Sequence, residues 1–204
     1  MKSERRIARI TNALRRTQPD LLVVLENIHD PYNVSAILRT CDAVGVRQVD
    51  LIYTQEKFPK IGRKSSASAN KWVTRTNFKS VAACYESLKA NGFTIAASVI
   101  DEERSIVSES SHRKSASLYE MDLCKKTALV FGNEHRGVSK EAAAAADTHF
   151  QIPMYGMVQS LNVSVACAIT LYEALRQRTR SGNPEDGVIQ NEEFKRMLDE
   201  WLKK

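Results

Sequence analysis

Short apolar runs alternate with longer segments of helical spacing along most of the chain. Leu21–Leu25 and Thr127–Phe131 are nearly continuous apolar runs of strand length. Asn33–Val44 carries apolar residues at helical spacing and is followed by Gly45, a common helix stop. The same criteria predict strands at Val49–Tyr53, Phe93–Ile100 and His149–Ile152, and helices at Ser80–Ala90, Ser139–Ala146 and Leu161–Gln177.

Strands separated by helices at this rhythm predict an α/β fold, with a mostly parallel sheet and helices on both faces. We interpret residues 54–71 as a loop with a short helical turn, and the acidic, serine-rich residues 101–117 as a long surface loop. An amphipathic segment lies at each end of the chain. The predicted units are an N-terminal helix in residues 1–18, a core in residues 19–180 and a helical appendage in residues 181–204.

The length and composition indicate one soluble domain with short appendages. The chain has 204 residues, of which 43% are hydrophobic and 26% charged. No apolar run is longer than the five residues of Leu21–Leu25, which is far shorter than the ~20 residues of a membrane-spanning helix. The basic N-terminus lacks the apolar segment of a secretory signal. We therefore expect a cytoplasmic protein.

The net charge of +6 is unevenly distributed. Residues 2–16 contain six basic side chains and one acidic one, and residues 57–79 contain seven basic side chains and no acid. The remaining chain is therefore net acidic. Clustered lysine and arginine side chains favour a polyanionic partner, because they displace counterions from phosphates. The alternative is that both clusters are simply solvated faces.

Cysteine and histidine do not indicate a metal site. Cys41, Cys84, Cys124 and Cys167 lie far apart in the sequence, with no C-x-x-C pair and no histidine at ligand spacing. We expect buried free thiols and no bound metal.

Three loops that follow predicted strands are dense in polar residues: residues 26–33, 132–137 and 153–162. Ligands of open α/β sheets bind outside the carboxyl ends of the strands, so we expect a site there. The glycines at 132 and 137 have the spacing of a phosphate-binding loop, but Val138 replaces its essential lysine, which argues against nucleotide hydrolysis. The chain has neither G-x-G-x-x-G nor G-x-S-x-G, which argues against a dinucleotide fold or a serine hydrolase.

Taken singly, the polar residues of these loops fit ordinary caps, turns and surface charges. Together, three segments resemble the signature motifs of the TrmH family, within the SPOUT superfamily of RNA methyltransferases. They are Asn33–Arg39 as N-x5-R, Phe131–Gly137 as F-G-N-E-x-x-G, and Ile152–Ala166 as I-P-M-x-G-x-V-Q-S-L-N-V-S-x-A. The resemblance covers about residues 5 to 180. Pro19–Leu21 and Ser68–Val73 are similar to the branch that methylates guanosine in tRNA.

The resemblance implies a fold whose C-terminal third forms a deep trefoil knot, which no periodicity could indicate because knots are nearly absent from proteins. It also implies that S-adenosylmethionine binds in the knot and that a homodimer completes the active site. The implied reaction is methylation of a ribose 2′-hydroxyl in tRNA, at guanosine 18 of the D-loop. Alternatives are a ribosomal RNA guanosine, a tRNA wobble nucleotide, or a non-catalytic RNA-binding protein.

The resemblance also assigns roles to individual residues. The implied catalytic residues are Arg39, Asn33, Glu134, Ser160 and Asn162, and the implied cofactor-binding residues are Ser98, Gly132, Asn133, Ile152, Met154 and Leu161. In this family, Arg39 corresponds to the proposed activator of the ribose hydroxyl. An ordinary arginine, with a pKa above ~12, cannot act as a base. Arg39 would act in a perturbed environment, through the substrate phosphate, or by stabilising a developing alkoxide.

The two basic clusters are interpreted as RNA contacts. We predict that residues 2–16 form a docking helix and that further cations hold phosphate beside the site. The predicted RNA-binding residues are Arg5, Arg6, Arg9, Arg63, Lys64, Lys71 and Arg75. The C-terminal helix carries Phe194, Leu198 and Trp201 at helical spacing, and we expect it to pack on the body or on a dimer partner.

Overall fold

Strands and helices alternate along the chain in the computed structural model, which describes residues 3–60, 69–100, 115–182 and 191–204. The helices are α1 Glu4–Arg15, α2 Pro31–Val44, α3 Val81–Ala90, α4 Lys140–Ala145, α5 Val163–Arg180 and α6 Asn191–Lys203. The strands are β1 Leu21–Glu26, β2 Gln48–Ile52, β3 Thr74–Phe78, β4 Thr94–Ser98, β5 Ala116–Ser117, β6 Thr127–Phe131 and β7 Thr148–Gln151. Short 3₁₀ turns occupy Ala69–Lys71 and Leu118–Glu120.

The seven strands form one sheet in the order β3-β2-β1-β6-β4-β7-β5. Within the described part of the chain, every pairing between these strands is parallel. The register places Leu25 opposite Phe131 and Ser98 opposite Phe150. The carboxyl ends of β1, β6, β4 and β7 therefore lie side by side at one edge of the sheet, and the loops that follow them meet there.

Helices cover both faces of the sheet, as the sequence predicts. The apolar residues of α2 and α5 pack against one face around Val23 and Leu129. The apolar residues of α3 and α4 pack against the other face around Val24 and Val130. Strands buried on both faces appear in the sequence as continuous apolar runs, and β1 and β6 do so. The predicted α/β class is confirmed.

The loop between β1 and α2 is fixed by local chemistry. The side chain of Asp30 caps α2 by accepting a hydrogen bond from the backbone N–H of Tyr32, and Pro31 occupies the first helical turn. Gly45 ends α2 with φ +83°, and an added Cβ there would lie 2.3 Å from the carbonyl oxygen of Arg16. The Asp30 cap thus holds the start of α2 at the carboxyl edge of the sheet, and the close approach at Gly45 fixes the end of the helix.

The two terminal helices pack on each other. Ile10 and Leu14 of α1 and Trp201 of α6 form a separate apolar cluster, with Phe194 and Leu198 against it. The ring of Trp201 also lies 4.7 Å from that of Trp72, and the Arg47 guanidinium lies 3.9 Å from its centroid. The apolar face of α6 therefore packs within its own chain, on α1 and on the segment that leads into β3.

Two local expectations need correction or refinement. The loop predicted for residues 101–117 is wrong at Ala116–Ser117, where two residues pair with β7 as β5, and its first part lies outside the described residues. Cys41, Cys84 and Cys167 are buried as predicted, whereas Cys124 is half-buried. No described helix is long and apolar enough to cross a membrane.

Candidate functional site

A cavity of about 450 Å³ opens at the carboxyl ends of β4, β6 and β7. It is lined by residues from two of the three polar loops that the sequence singles out, those at 132–137 and 153–162, and by the end of β4. The loop at residues 26–33 does not line it. The predicted residues that line it are Ser98, Gly132, Asn133, Glu134, Ile152, Met154, Ser160, Leu161 and Asn162. Every residue of the predicted cofactor set therefore lies at one cavity, although these residues come from three separate parts of the chain.

Several lining residues are absent from the sequence prediction. Val99 and Ile100 extend the wall beyond β4, while Phe131, Val163 and Ala166 add apolar surface. Gln151, at the end of β7, has a buried side-chain oxygen with no hydrogen-bond partner among the described residues. Phe131, Val163 and Ala166 lie within the quoted motif segments. Position is the one sequence signal of the others, which lie at or beside the end of a strand.

The loop after β6 closes tightly at Gly132. A Cβ added to Gly132 would lie 2.1 Å from the carbonyl carbon and oxygen of Gly137 and 2.2 Å from the backbone nitrogen of Val138. These atoms are backbone and cannot rotate away. The loop therefore requires glycine at position 132, since any side chain would force the cavity wall apart.

The three motif segments are joined by hydrogen bonds beside the cavity. The Glu134 carboxylate accepts from the backbone N–H groups of His29 (3.0 Å) and Asp30 (3.1 Å) and from Asn33 Nδ2 (2.9 Å). Asn162 Nδ2 donates to Asn33 Oδ1 at 3.0 Å. Asn162 Oδ1 in turn caps α5 by accepting from the backbone N–H of Ser164. The Asn33 amide is thus engaged at both of its ends, which fixes its orientation.

These contacts keep Glu134 ionised. Burial by itself would raise the pKa of Glu134, but the hydrogen bonds from Asn33, His29 and Asp30 outweigh that effect and lower the pKa below its ordinary value of 4.5. At neutral pH, Glu134 is a charged anchor next to the start of α2, where helix N–H groups favour an anion.

We predict that Glu134→Gln lowers the thermal stability of the protein near pH 7, because one of the carboxylate's acceptor oxygens becomes a donor that faces other donors. The folded-state pKa is depressed, so the stabilisation by Glu134 is present above the pKa of about 4.5 of the unfolded state. It is lost as pH falls through the lower folded-state pKa. The Tm difference between wild type and variant should therefore be largest near pH 7 and narrow below about 4.5. A difference that is constant with pH would contradict this role.

Arg39 does not line the cavity of its own chain. It lies on α2 six residues after Asn33, which places it about 9 Å further along the helix and on a different side. Its side chain is exposed, and Asn33 is buried. The structure therefore brings Asn33, Glu134, Ser160 and Asn162 to one place and leaves Arg39 on the outside of the fold.

None of the predicted RNA contacts that the structure describes lines the cavity. Arg5, Arg6 and Arg9 are exposed on α1, and Lys71 is exposed at the end of its 3₁₀ turn. Arg75 is half-buried on β3, with its guanidinium 5.8 Å from the centroid of the Phe58 ring. Arg63 and Lys64 lie outside the described residues.

The sheet is parallel and covered on both faces, and its carboxyl edge carries a cavity lined by two motif segments and braced by the third through Asn33. This is the frame of an α/β enzyme. Residues 20–172 match the model of the SpoU rRNA Methylase family, which spans most of the chain. This chain therefore belongs to the SpoU methylase family.

Relatives of known name align along nearly the whole chain. A tRNA (guanosine(18)-2′-O)-methyltransferase of Thermus thermophilus is 42% identical over 203 residues, covering 100% of this chain and 98% of the relative. The enzyme of that name from Aquifex aeolicus is 38% identical, covering 97% of this chain and 89% of the relative. The crystal structure of the A. aeolicus TrmH/SpoU tRNA modifying enzyme superposes with a TM-score of 0.83 at 37% identity, covering 98% of this chain and 96% of that one.

Proposed function

We propose that this protein transfers a methyl group from S-adenosylmethionine to the ribose 2′-hydroxyl of guanosine 18 in tRNA, in the cytoplasm. The observation that carries the proposal is that Asn33 is hydrogen-bonded to both Glu134 and Asn162, which line one cavity, in a chain that aligns end to end with relatives of that activity. A protein that only bound RNA would not need a cavity of this kind.

The cavity fits S-adenosylmethionine in size and chemistry. Its volume of about 450 Å³ lies in the range of small-molecule sites. Phe131, Ile152 and Leu161 offer apolar surface for the adenine ring, while the unpaired oxygen of Gln151 could accept from an amino or hydroxyl group of the ligand. When bound, S-adenosylmethionine supplies an electrophilic methyl group on a sulfonium centre. We assign its binding to Ser98, Gly132, Asn133, Ile152, Met154 and Leu161.

The residues of the chain then position the nucleophile. Attack on a methyl group requires an in-line approach of the 2′-oxygen and partial loss of its proton. Ser160 and Asn162 line the cavity, where they can orient a ribose. Asn33 holds the side chain of Asn162, and Glu134 holds Asn33. A guanidinium is a donor of hydrogen bonds and a fixed positive charge, so we assign Arg39 to electrostatic stabilisation of the developing oxyanion.

Two features support a second copy of the chain as part of the active site. Tyr155 and Met157, in the loop that continues the cavity wall, are 95% and 99% exposed, and Val165 and Tyr172 are exposed on α5. Clustered exposed apolar side chains mark interaction surfaces. Arg39 lies outside the cavity of its own chain. We infer a homodimer that covers the apolar surface and in which each protomer supplies Arg39 to its partner's cavity.

The order of the strands supports the proposed trefoil knot. β6 lies between the earlier strands β1 and β4, and β7 lies between β4 and β5. Later strands thus enter between earlier ones. α5 then packs against the segment that leads into β6, where Arg178 Nε donates to the carbonyl of Leu123 at 2.8 Å. A helix that follows β7 and is held against an earlier segment is the arrangement that a threaded C-terminal region requires.

The proposed function can be tested by incubating the protein with a tRNA transcript and tritiated S-adenosylmethionine, then mapping the 2′-O-methyl group. We expect label at guanosine 18 and none in a variant transcript with adenosine at that position. Label at the wobble nucleotide, or label only in ribosomal RNA fragments, would support one of the alternative substrates. No cofactor binding in calorimetry would support a pure RNA binder.

We propose that residues 1–18 dock tRNA, that residues 19–180 form the methyltransferase domain and that residues 181–204 are an appendage that supports the docking helix.

We predict that replacing Arg5, Arg6 and Arg9 together with alanine weakens tRNA binding by about tenfold or more. The slope of log affinity against log salt should become shallower by about 2 to 3, since each phosphate contact contributes roughly 0.7 to 0.9. Binding by filter or anisotropy titration at several salt concentrations measures both quantities.

The matched control replaces three other exposed lysines, Lys89, Lys125 and Lys126, with alanine, which removes the same charge elsewhere on the protein. That variant should keep most of the wild-type affinity and slope. Equal losses in both triple variants would show a general effect of net charge and contradict a docking role for α1.

A further inference from the structure

Asn27, directly after β1, has a strained backbone. It is the one non-glycine residue with positive φ in the described part of the chain, at +52°, and it is buried. Glycine would adopt this conformation at no steric cost, while other residues store strain in it. Because glycine would fit this backbone without strain, the presence of asparagine indicates that its side chain has a role.

That reason is visible in the turn after β2. Asn27 Oδ1 accepts hydrogen bonds from three consecutive backbone N–H groups, those of Thr54 (3.0 Å), Gln55 (3.0 Å) and Glu56 (3.2 Å). Asn27 Nδ2 makes a long contact of 3.4 Å to the Thr54 hydroxyl. The acceptor oxygen thus organises the turn at residues 54–56, and the amide nitrogen contributes little.

The backbone of Asn27 reaches the loop after β6. Its carbonyl oxygen accepts from Asn133 Nδ2 at 2.8 Å. Asn133 Oδ1 in turn accepts from the backbone N–H groups of His135 (3.0 Å) and Arg136 (3.2 Å), and its carbonyl accepts from Gly137 N–H. The left-handed turn at Asn27 therefore directs the Asn27 carbonyl at Asn133. Asn133 in turn organises the loop from residue 133 to residue 137.

A second link joins the same two loops. The Glu56 carboxylate, in the turn that Asn27 organises, lies 2.9 Å from Arg136 Nη2. Asn27 thus holds the loop after β6 directly, through Asn133, and indirectly, through Glu56. The loop held in this way carries Glu134, which binds His29 and Asn33.

We propose that Asn27 is a positioning residue for the methyl transfer reaction. It lines no part of the cavity, but it joins the ends of β1, β2 and β6 and so sets the position of Asn133 and Glu134. The inference rests on the proposed function, since a positioning role is recognised by its effect on turnover. A substitution far from the reacting atoms can lower the rate severely if it displaces the residues of the active site by a small distance.

The test compares Asn27→Gly with Asn27→Asp. Glycine keeps the left-handed backbone and removes the acceptor, while aspartate keeps an acceptor for the three N–H groups and tolerates positive φ. For Asn27→Gly we expect kcat for tRNA methylation to fall at least about tenfold at saturating substrates, while KM for tRNA changes less than about threefold. Asn27→Asp should recover most of the lost kcat. Thr54→Val, which removes the partner of Asn27 Nδ2 alone, should leave kcat near the wild-type value.

A purely structural role gives a different result. If Asn27→Gly lowers Tm but keeps kcat at a temperature where it is folded, or if Asn27→Asp is as slow as Asn27→Gly, the proposal is wrong. A loss confined to KM or Kd also contradicts it.

A second readout does not depend on the substrate. Amide hydrogen exchange without RNA should accelerate in Asn27→Gly at both residues 54–56 and residues 134–137, and wild-type exchange there would refute the link. If wild-type protein does not methylate tRNA at all, the proposed function fails, and the exchange result still decides whether Asn27 joins the loops.

Discussion

Replacing Arg39 with lysine is expected to lower kcat for tRNA methylation by about 100-fold or more, while the Kd for S-adenosylmethionine stays within about twofold. Loss of one group that stabilises a developing oxyanion typically costs 10²- to 10³-fold. Lysine keeps the positive charge but lacks the planar fork of donors that a guanidinium presents, so it is a poor replacement where that geometry is used. Because we assign Arg39 to the developing oxyanion of the substrate and not to the cofactor, cofactor binding should be unaffected. Single-turnover methylation and calorimetry measure the two quantities.

Arg180→Lys is the matched control, because Arg180 is an exposed helical arginine at the end of α5. It should retain near wild-type turnover. The placement of Arg39 across a dimer is tested by mixing Arg39→Lys protein with Asn162→Ala protein. Mixed dimers contain one cavity with both residues intact, so part of the activity should return. Near-normal turnover in Arg39→Lys would remove any specific role for the guanidinium, and no recovery on mixing would place Arg39 within its own chain.

Gly132→Ala is the second change with a large expected effect. An alanine Cβ would lie 2.1 Å from the Gly137 carbonyl, so the loop that forms one wall of the cavity must open. We expect the Kd for S-adenosylmethionine to rise at least about tenfold and methylation to fall about 100-fold, since this displacement moves Asn133 and Glu134 together. Calorimetry and steady-state kinetics at several cofactor concentrations test both effects.

Gly137→Ala provides a graded comparison within the same loop. A Cβ at Gly137 meets no atom within 4 Å, but its φ of +66° disfavours any side chain. The cost there is backbone strain of about 1 kcal/mol, without a clash. Gly137→Ala should therefore lower Tm slightly and weaken cofactor binding much less than Gly132→Ala. Equal effects of the two substitutions would show that strain, and not close approach, explains the need for glycine.

The central part of the fold could be predicted from the sequence because its strands are buried on both faces. Thr127–Phe131 appears as one apolar run and is a strand with those bounds. The edge strand β3, Thr74–Phe78, has a mostly polar sequence and is exposed or half-buried throughout, so no apolar pattern indicates it. The two-residue β5 is too short to leave a period. Edge elements depend on pairing with a neighbour that local sequence does not reveal.

The sequence could predict that the proposed cofactor residues meet at one place, but it could not predict the contacts of the site. Loops after parallel strands must meet, which explains why residues near Gly132 and Leu161 line one cavity. The bond from Asn33 to Glu134 joins residues 101 positions apart, and no spacing indicates such a pair. Likewise, helical geometry separates Arg39 from Asn33, but only the packing of α2 shows which of them faces inward. Asn27 lacks any sequence signal beyond its place at a strand end.

The cluster of terminal helices has a practical consequence for spectroscopy. The chain contains two tryptophans, Trp72 and Trp201, and their rings lie 4.7 Å apart. Neither residue lines the cavity. Intrinsic tryptophan emission thus originates from a single place, where α6 meets the segment before β3, with the Arg47 guanidinium over one of the indole rings. The protein carries a built-in optical probe of its C-terminal helix, whose signal can follow the docking of that helix without an attached dye.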